Sequence, residues 1–341
     1  MTQRPGLRPD ATDGSPDGNI DRRISVAPMM DYTDRHCRYL LRLLTPGALL
    51  YTEMVTAHAL VHGHVERLLA FDPAEHPVAL QLGGADPGLL ARAARLGTEY
   101  GYDEINLNLG CPSDRVQSGR FGACLMADPA TVVECVQAMR ASTPLPVTVK
   151  CRIGIDELDD YGFFHHFVSV VREAGVNVFI VHARKAILQG LTPKENREIP
   201  PLRYEVPERL KREHPDLVVV LNGGLRSVGE IREWLPRFDG VMIGRQAYHE
   251  PYLLAELHRA FVDPAWLPPS REAVVEGYAD YVERMAAAGH SVPLMLRHVH
   301  GLYTGLAGAR SWRRFLGEQA VRPGAGAEVL RHSLRVFDRA A

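Results

Sequence analysis

Asn106-Leu107-Asn108-Leu109-Gly110-Cys111-Pro112-Ser113 reads as the end of a β-strand followed by a loop that carries a thiol. Ile105, Leu107 and Leu109 share one parity and Asn106 and Asn108 the other, which is the two-residue period of a pleated strand. Two amides on one face of a central strand are costly unless other groups hydrogen-bond them. Gly110 breaks the strand and Pro112 stops it from continuing. Cys111 is thereby placed at the carboxyl end of a strand, at the start of a loop, where a thiol can meet a ligand. The alternative is a small buried cysteine that only packs. The amide-rich strand and the loop Asp114–Gly122 favour the functional reading.

Outward from this segment, short apolar runs recur in step with helical stretches. The runs are Ile24–Ala27, Leu49–Met54, Val78–Leu82, Glu104–Leu109, Val147–Arg152, Val178–Val181, Leu217–Leu221 and Gly240–Ile243. Asp86-Pro87 and Asp128-Pro129 each set an N-cap before a proline at the first helical position. Ser227 and Glu230 fit a capping box. Eight evenly spaced strand–helix units predict a closed α/β fold, a (β/α)8 TIM barrel, over a doubly wound open sheet. Beyond Pro251 the strand signals stop. Residues 270–341 read as wholly helical, with breaks at Gly289, Gly301–Gly308 and Pro323-Gly324. The expected organisation is a disordered tail over residues 1–21, rich in Gly, Pro, Asp and Thr, a barrel over 22–262 and an all-helical domain over 263–341.

Composition narrows the function classes. The 341 residues allow one large barrel plus a smaller unit. No apolar run is long enough to span a membrane and no signal-peptide core is visible, so a cytoplasmic location is expected. Five cysteines, an odd number without a Cys-x-x-Cys pair, point to a reducing compartment and away from disulfides and a zinc site. A net charge of −2 means that any polyanion must be bound by local basic patches. Oligomeric state is not legible, with a monomer as the default.

In barrels of this type chemistry sits at the carboxyl ends of the strands. Nearly every strand here ends in something polar or special: Ala27-Pro-Met-Met30, Glu53, Gln81-Leu-Gly-Gly84, Asn108 to Cys111, Lys150 and Arg152, His182-Ala-Arg184, Asn222-Gly-Gly224 and Gly244-Arg245. Packing alone does not explain polar groups at eight successive ends. Gly223, Gly224 and Gly244 let backbone N–H groups approach a phosphate, and Arg245 adds a charged fork. Lys150 could stabilise negative charge on a reduced flavin. It could equally pair with Glu53, or form a Schiff base as lysines on barrel strands do in aldolases.

Taken together, Ala27-Pro-Met-Met-Asp-Tyr-Thr-Asp34, Asn106–Ser113, Val149-Lys-Cys-Arg-Ile-Gly154, Val181-His-Ala-Arg184, Leu221-Asn-Gly-Gly224 and Met242-Ile-Gly-Arg245 resemble the bacterial tRNA-dihydrouridine synthases. The resemblance runs from about Ile24 into the C-terminal region. The segments Gly119–Met126 and Gln189–Ile199 look like the A-type branch, which modifies D-loop uridines. The resemblance implies FMN as bound cofactor, NADPH as reductant and tRNA as substrate. It implies that Pro28, Met29 and Met30 line the flavin, that Gln81 hydrogen-bonds it and that Lys150 and His182 contact it. Asn222, Gly223, Gly224, Gly244 and Arg245 would hold its phosphate end. Cys111 would give a proton to C5 of uracil while the reduced flavin gives hydride to C6. Asn108 would lie beside the uracil, and Arg184 would touch uracil or tRNA.

Reaching a base in folded tRNA requires its extrusion into the pocket. Candidate basic contacts are Arg115, Arg120, Lys185, Lys194 and Arg197 around the barrel mouth, and Arg310, Arg313 and Arg314 in the helical region. Arg310-Ser-Trp-Arg-Arg314, an aromatic between charges, is the favoured cluster. Rival classes are a flavin barrel acting on a free pyrimidine, a Schiff-base lyase using Lys150, and a non-catalytic tRNA-binding flavoprotein. Flavin absorption separates the flavin classes from the lyase, and turnover on tRNA but not on uridine separates the first two.

Overall fold

The strand ladder closes on itself. In this computed structural model, which describes residues 20–338, nine strands pair in parallel: β1 Ile24–Val26, β2 Leu49–Tyr51, β3 Val55–Thr56, β4 Val78–Gly83, β5 Glu104–Leu109, β6 Val147–Arg152, β7 Val178–His182, β8 Val218–Asn222 and β9 Gly240–Ile243. The order is β2-β1-β9-β8-β7-β6-β5-β4, and a further β2–β4 pairing completes an eight-stranded barrel. Residues 1–19 of the expected tail lie outside the described residues.

The strand β3 is the one departure from the expected eight runs. The run Leu49–Met54 ends at Tyr51, and Val55 and Thr56 pair separately with Leu82 and Gly83. Thr52 causes the break. Its hydroxyl accepts the N–H of Gln81 (3.0 Å), a ladder position that a backbone carbonyl would otherwise fill.

The helices between strands begin where the caps predict. The carboxylates of Asp86 and Asp128 accept the N–H groups of Leu89 and Thr131, and Ser227 and Glu230 form the reciprocal box. Parity then sorts the strands. Ile105, Leu107 and Leu109 point outward into the apolar layer under the helices. Tyr51, Ala79, Val178, Ile180, Val220 and Met242 fill part of the interior.

The rest of the interior is polar and satisfied. Glu104 is fully buried; it pairs with Arg22 Nη2 at 2.6 Å and accepts the hydroxyls of Tyr51 (2.7 Å) and Thr148 (2.6 Å). Thr148 accepts Asn106 Nδ2 (2.9 Å), Asn106 Oδ1 accepts Gln81 Nε2 (2.8 Å), and Gln81 Oε1 accepts Asn108 Nδ2 (2.8 Å). The two strand amides thus have the partners that their burial requires.

After Pro251 the described chain is helical, including Leu253–Leu257, Arg271–Ala287, Val292–Leu296 and Ala309–Gln319. Gly289, Gly305, Gly308 and Gly324 take left-handed φ at the breaks. This region packs on the helix Arg35–Leu44. Tyr281 stacks on Tyr39 with ring centroids 3.9 Å apart and hydrogen-bonds His36 Nδ1 at 2.8 Å. Burial pushes His36 down to about 4, so it is neutral in this interface. Among the described residues no helix is long and apolar enough to cross a membrane.

Candidate active site

The carboxyl ends of most of the strands open into a cleft of about 690 Å³. Pro28, Met29, Met30, Gln81, Asn108, Cys111, Lys150, His182, Arg184, Arg197, Asn222, Gly223, Gly224, Gly244 and Arg245 all line it. Lys185, Lys194, Arg310, Arg313 and Arg314 are outside that lining.

The thiol is set by the amide chain from the barrel floor. Asn108 Oδ1 accepts the N–H groups of Gly110 (3.1 Å) and Cys111 (3.0 Å), which turns the chain at the strand end. The Cys111 carbonyl accepts Ala123 N–H at 2.9 Å, which ties the following loop to it. Gly122 (φ 77°) permits that approach, since a Cβ there would lie 2.6 Å from the Cys111 carbonyl oxygen. Cys111 is half-buried, with Sγ 3.5 Å from Ser113 Oγ. Gln81 is engaged by protein amides at both ends of its side chain, so it orients Asn108.

Charge in the cleft is unbalanced. Arg152, Arg184, Arg197, Arg226, Arg245 and Lys150 line it against two carboxylates, Asp31 and Glu198. Lys150 does not pair with Glu53. Its Nζ donates to the neutral Asn222 Oδ1 (3.0 Å), while Glu53 accepts the N–H of Asp31. Burial first, then the neighbouring Arg152, pulls Lys150 down to about 8 and holds His182 well below its ordinary value. Both groups would be relieved by an anion in the cleft.

Arg245 is engaged at the rim, where Nη1 donates to Glu198 Oε1 at 2.7 Å. Arg184 donates to the backbone carbonyl of Pro200. Lys185 turns away from the mouth to Asp159 (3.0 Å) and to the Asp156 carbonyl (2.8 Å). Arg310, Arg313 and Arg314 are exposed on the helix Ala309–Gln319 and make no ion pair among the described residues, with Glu318 or otherwise. Trp312 is not available to stack on a base. It is fully buried, and its indole N–H donates to Ser333 Oγ at 2.8 Å. The helical period places it opposite Arg310 and Arg314, with Arg313 a quarter-turn away.

Sequence reading leaves Arg152 among the polar strand ends without a role. It is buried, and donates to the carbonyls of Gly110 (3.1 Å), Asn196 (2.9 Å) and Lys185 (3.2 Å). It therefore fastens the thiol loop to the loop after β7. Its shared parity with Thr148 and Lys150 was the available signal. Tyr32, Arg226 and Gln246 also line the cleft and carry no strand-end pattern that would single them out.

The dihydrouridine synthase family model matches residues 25–337. The chain belongs to the dihydrouridine synthase family. A relative from Xanthomonas axonopodis pv. citri, named tRNA-dihydrouridine(20/20a) synthase, is 57% identical over 316 residues, covering 93% of this chain and 94% of its own. Proteins of the same name from Shewanella oneidensis and Synechocystis sp. are each 53% identical, over 92% of this chain and 93% of theirs. Among solved structures, an old yellow enzyme homologue from Zymomonas mobilis superposes with a TM-score of 0.51 at 13% identity, over 72% of this chain and 89% of that one. That likeness concerns the barrel fold. Within the family, the conjunction of one thiol with a basic cleft is the feature to be explained.

Proposed function

We propose that this chain reduces the 5,6-double bond of D-loop uridines in tRNA to dihydrouridine, with FMN held in the barrel cleft and NADPH as reductant. The observation that carries this reading is the Cys111 thiol facing the same cleft as Lys150 and the excess of arginine. The residues present fit a flavin phosphate. Gly223 (φ 114°) and Gly224 (φ 72°) form a cradle closed to side chains: a Cβ on Gly223 would meet His182 Cδ2 at 2.6 Å, and one on Gly224 would meet Leu202 Cδ1 at 2.4 Å. The space over Gly244 is open. Lys150, a half-buried cation bonded to an amide oxygen, fits a ring that gains negative charge.

The hydride that C6 of uracil receives would come from a flavin held by these residues. Cys111 holds a proton at Sγ and delivers it to C5 from the other side of the base. Asn108 and Arg152 keep the thiol loop in place through the Gly110 and Cys111 backbone. The surrounding arginines neutralise phosphate as the target base is extruded. The division into a barrel over 22–262 and a docking unit over 263–341 is part of this proposal, as is activity in the cytoplasm. The decisive test is positional mapping of dihydrouridine in tRNA from cells lacking the protein, with turnover by the purified protein on tRNA and on free uridine.

Two variants probe the binding surfaces. Arg245→Ala should weaken flavin retention roughly tenfold or more, because a charge-assisted hydrogen bond contributes about 1.5–3 kcal/mol. Glu198→Gln should tighten it, since Glu198 now holds that guanidinium. Flavin titration of apoprotein measures both, and an unchanged affinity in Arg245→Ala would put the phosphate elsewhere. Replacing Arg310, Arg313 and Arg314 with Ala should weaken tRNA binding and reduce the salt slope by roughly 2–3, one released counterion per lost contact. Thermal stability should hold, because these side chains are exposed and unpaired by carboxylates among the described residues. A salt slope equal to wild type would reject docking on this helix.

A further inference from the structure

Two side chains of the helical region reach back to the loop after β1. In the turn Arg297–Gly301, Arg297 Nη2 donates to the backbone carbonyl of Asp31 (2.8 Å) and lies 3.5 Å from the Asp34 carboxylate. His298, whose side chain is fully buried, sits with Nε2 3.0 Å from Asp34 Oδ1. Asp34 also caps the helix Arg35–Leu44, accepting Cys37 N–H at 2.9 Å. Further along, Thr304 Oγ1 donates to the carbonyl of His249 (2.9 Å), at another edge of the cleft.

The loop so held is not relaxed. Asp31 has φ 66°, a left-handed conformation that non-glycine residues rarely take. Its N–H is held by Glu53 of the barrel and its carbonyl by Arg297 of the helical region. Tyr32 and Thr33 donate their N–H groups to the Met29 carbonyl (3.1 and 3.0 Å), making a tight turn of the residues that line the cleft. Tyr32 packs on Tyr248 at 4.3 Å, and Tyr248 meets the edge of His298 at 5.8 Å. A backbone held away from its preferred region persists only while its surroundings over-determine it. Two of those surroundings belong to a part of the chain that contributes no residue to the cleft itself.

We infer that Arg297 and His298 are positioning residues, through which the helical region fixes the cleft wall Met29–Tyr32 and so couples the docking unit to the seat of the cofactor. The cofactor clause rests on the proposed function; the positioning of the wall does not.

The test is amide hydrogen exchange on the full-length protein, read in peptides covering residues 28–34, with flavin affinity and the visible circular dichroism of bound flavin in parallel. Arg297→Met should speed exchange in this loop roughly tenfold, the loss expected for one charge-assisted hydrogen bond. It should weaken flavin binding several-fold (on the order of the same lost contact) and alter the dichroism. Arg297→Lys keeps the charge without the fork and should fall between. His298→Gln keeps a donor for Asp34 and should stay near wild type, whereas His298→Leu should follow Arg297→Met. Arg331→Met is the control. Arg331 joins Glu276, Asp280 and Glu283 in the same helical region, so its loss should leave the loop alone. The Arg297 side chain is 38% exposed, so its variants are expected to fold even if His298→Leu does not. Unchanged loop exchange in Arg297→Met, or an equal change in Arg331→Met, would overturn the inference. A wild-type protein that binds no flavin would instead sink the proposed function, while the exchange result would still decide the positioning role.

Discussion

Cys111→Ala is expected to lower uridine reduction in tRNA by roughly 10²–10⁴-fold, the usual worth of a positioned general acid. The effect should fall on chemistry alone, because the side chain holds nothing else in place. The loop geometry depends on the Cys111 backbone: its N–H on Asn108, its carbonyl on Ala123 N–H. Alanine retains both. The thiol itself has one weak contact, 3.5 Å from Ser113 Oγ. Flavin retention and flavin reduction by NADPH should therefore match wild type. Cys111→Ser should lie between, since a hydroxyl is a much poorer acid than a thiol. The measurement is single-turnover reduction of tRNA uridine by pre-reduced enzyme. Turnover in the alanine variant equal to wild type would remove Cys111 from proton transfer. Asn108→Ala is the informative contrast: it should disturb the turn at Gly110 and Cys111, and so lose activity together with loop order.

Why Cys111 was legible and other site residues were not follows from what a strand records. A β-strand writes its burial pattern at period two, so the limits of β5, β6 and β9 coincide with the apolar runs, and the polar parity of β5 sets Asn106 and Asn108 on one face, which the fold turns into the barrel interior. Caps are equally local: Asp86, Asp128 and Ser227 each declare a helix start within four residues. The break at Tyr51 is different. It depends on Thr52 reaching across to Gln81, a contact between strands separated by a helix-containing connection. Sequence periodicity cannot carry that. Charge was the least legible property. Lys185 and Arg310 look alike in sequence, yet one is bound to Asp159 and the other is exposed. Trp312 illustrates the same limit. A tryptophan between arginines fits a stacking platform, but the helix turns it through 100° per residue into the core. Arg152 was visible as a strand end, and only the loops that it joins, far apart in sequence, gave it a task.

The polar barrel floor should be the most stability-sensitive part of the molecule, with Glu104 at its centre. Its carboxylate is fully buried, pairs with the buried Arg22, and accepts hydroxyls from Tyr51 and Thr148. Replacing it with leucine leaves a buried guanidinium without its carboxylate and two hydroxyls without their acceptor. Breaking a buried pair in this way costs about 3–5 kcal/mol, which corresponds to a fall in Tm on the order of 10 °C. Glu104→Gln should cost less, because its carbonyl still accepts Tyr51 and Thr148, although its N–H₂, a donor, cannot replace the carboxylate oxygen that accepts from Arg22. The double variant Arg22→Met with Glu104→Leu should recover part of the loss, since the buried guanidinium that had lost this carboxylate is gone too. The damage should also travel upward. Thr148 stands between Glu104 and the chain Asn106, Gln81, Asn108 that ends at the Cys111 N–H. Releasing Thr148 loosens the first member of that chain, so Glu104→Leu should lower turnover at temperatures well below its melting transition, while Arg331→Met, remote from the floor, should not. Thermal melts and single-turnover rates on the same preparations decide this. A Glu104→Leu protein that melts within about 1 kcal/mol of wild type would mean that the floor relaxes around the missing carboxylate and does not set the thiol loop.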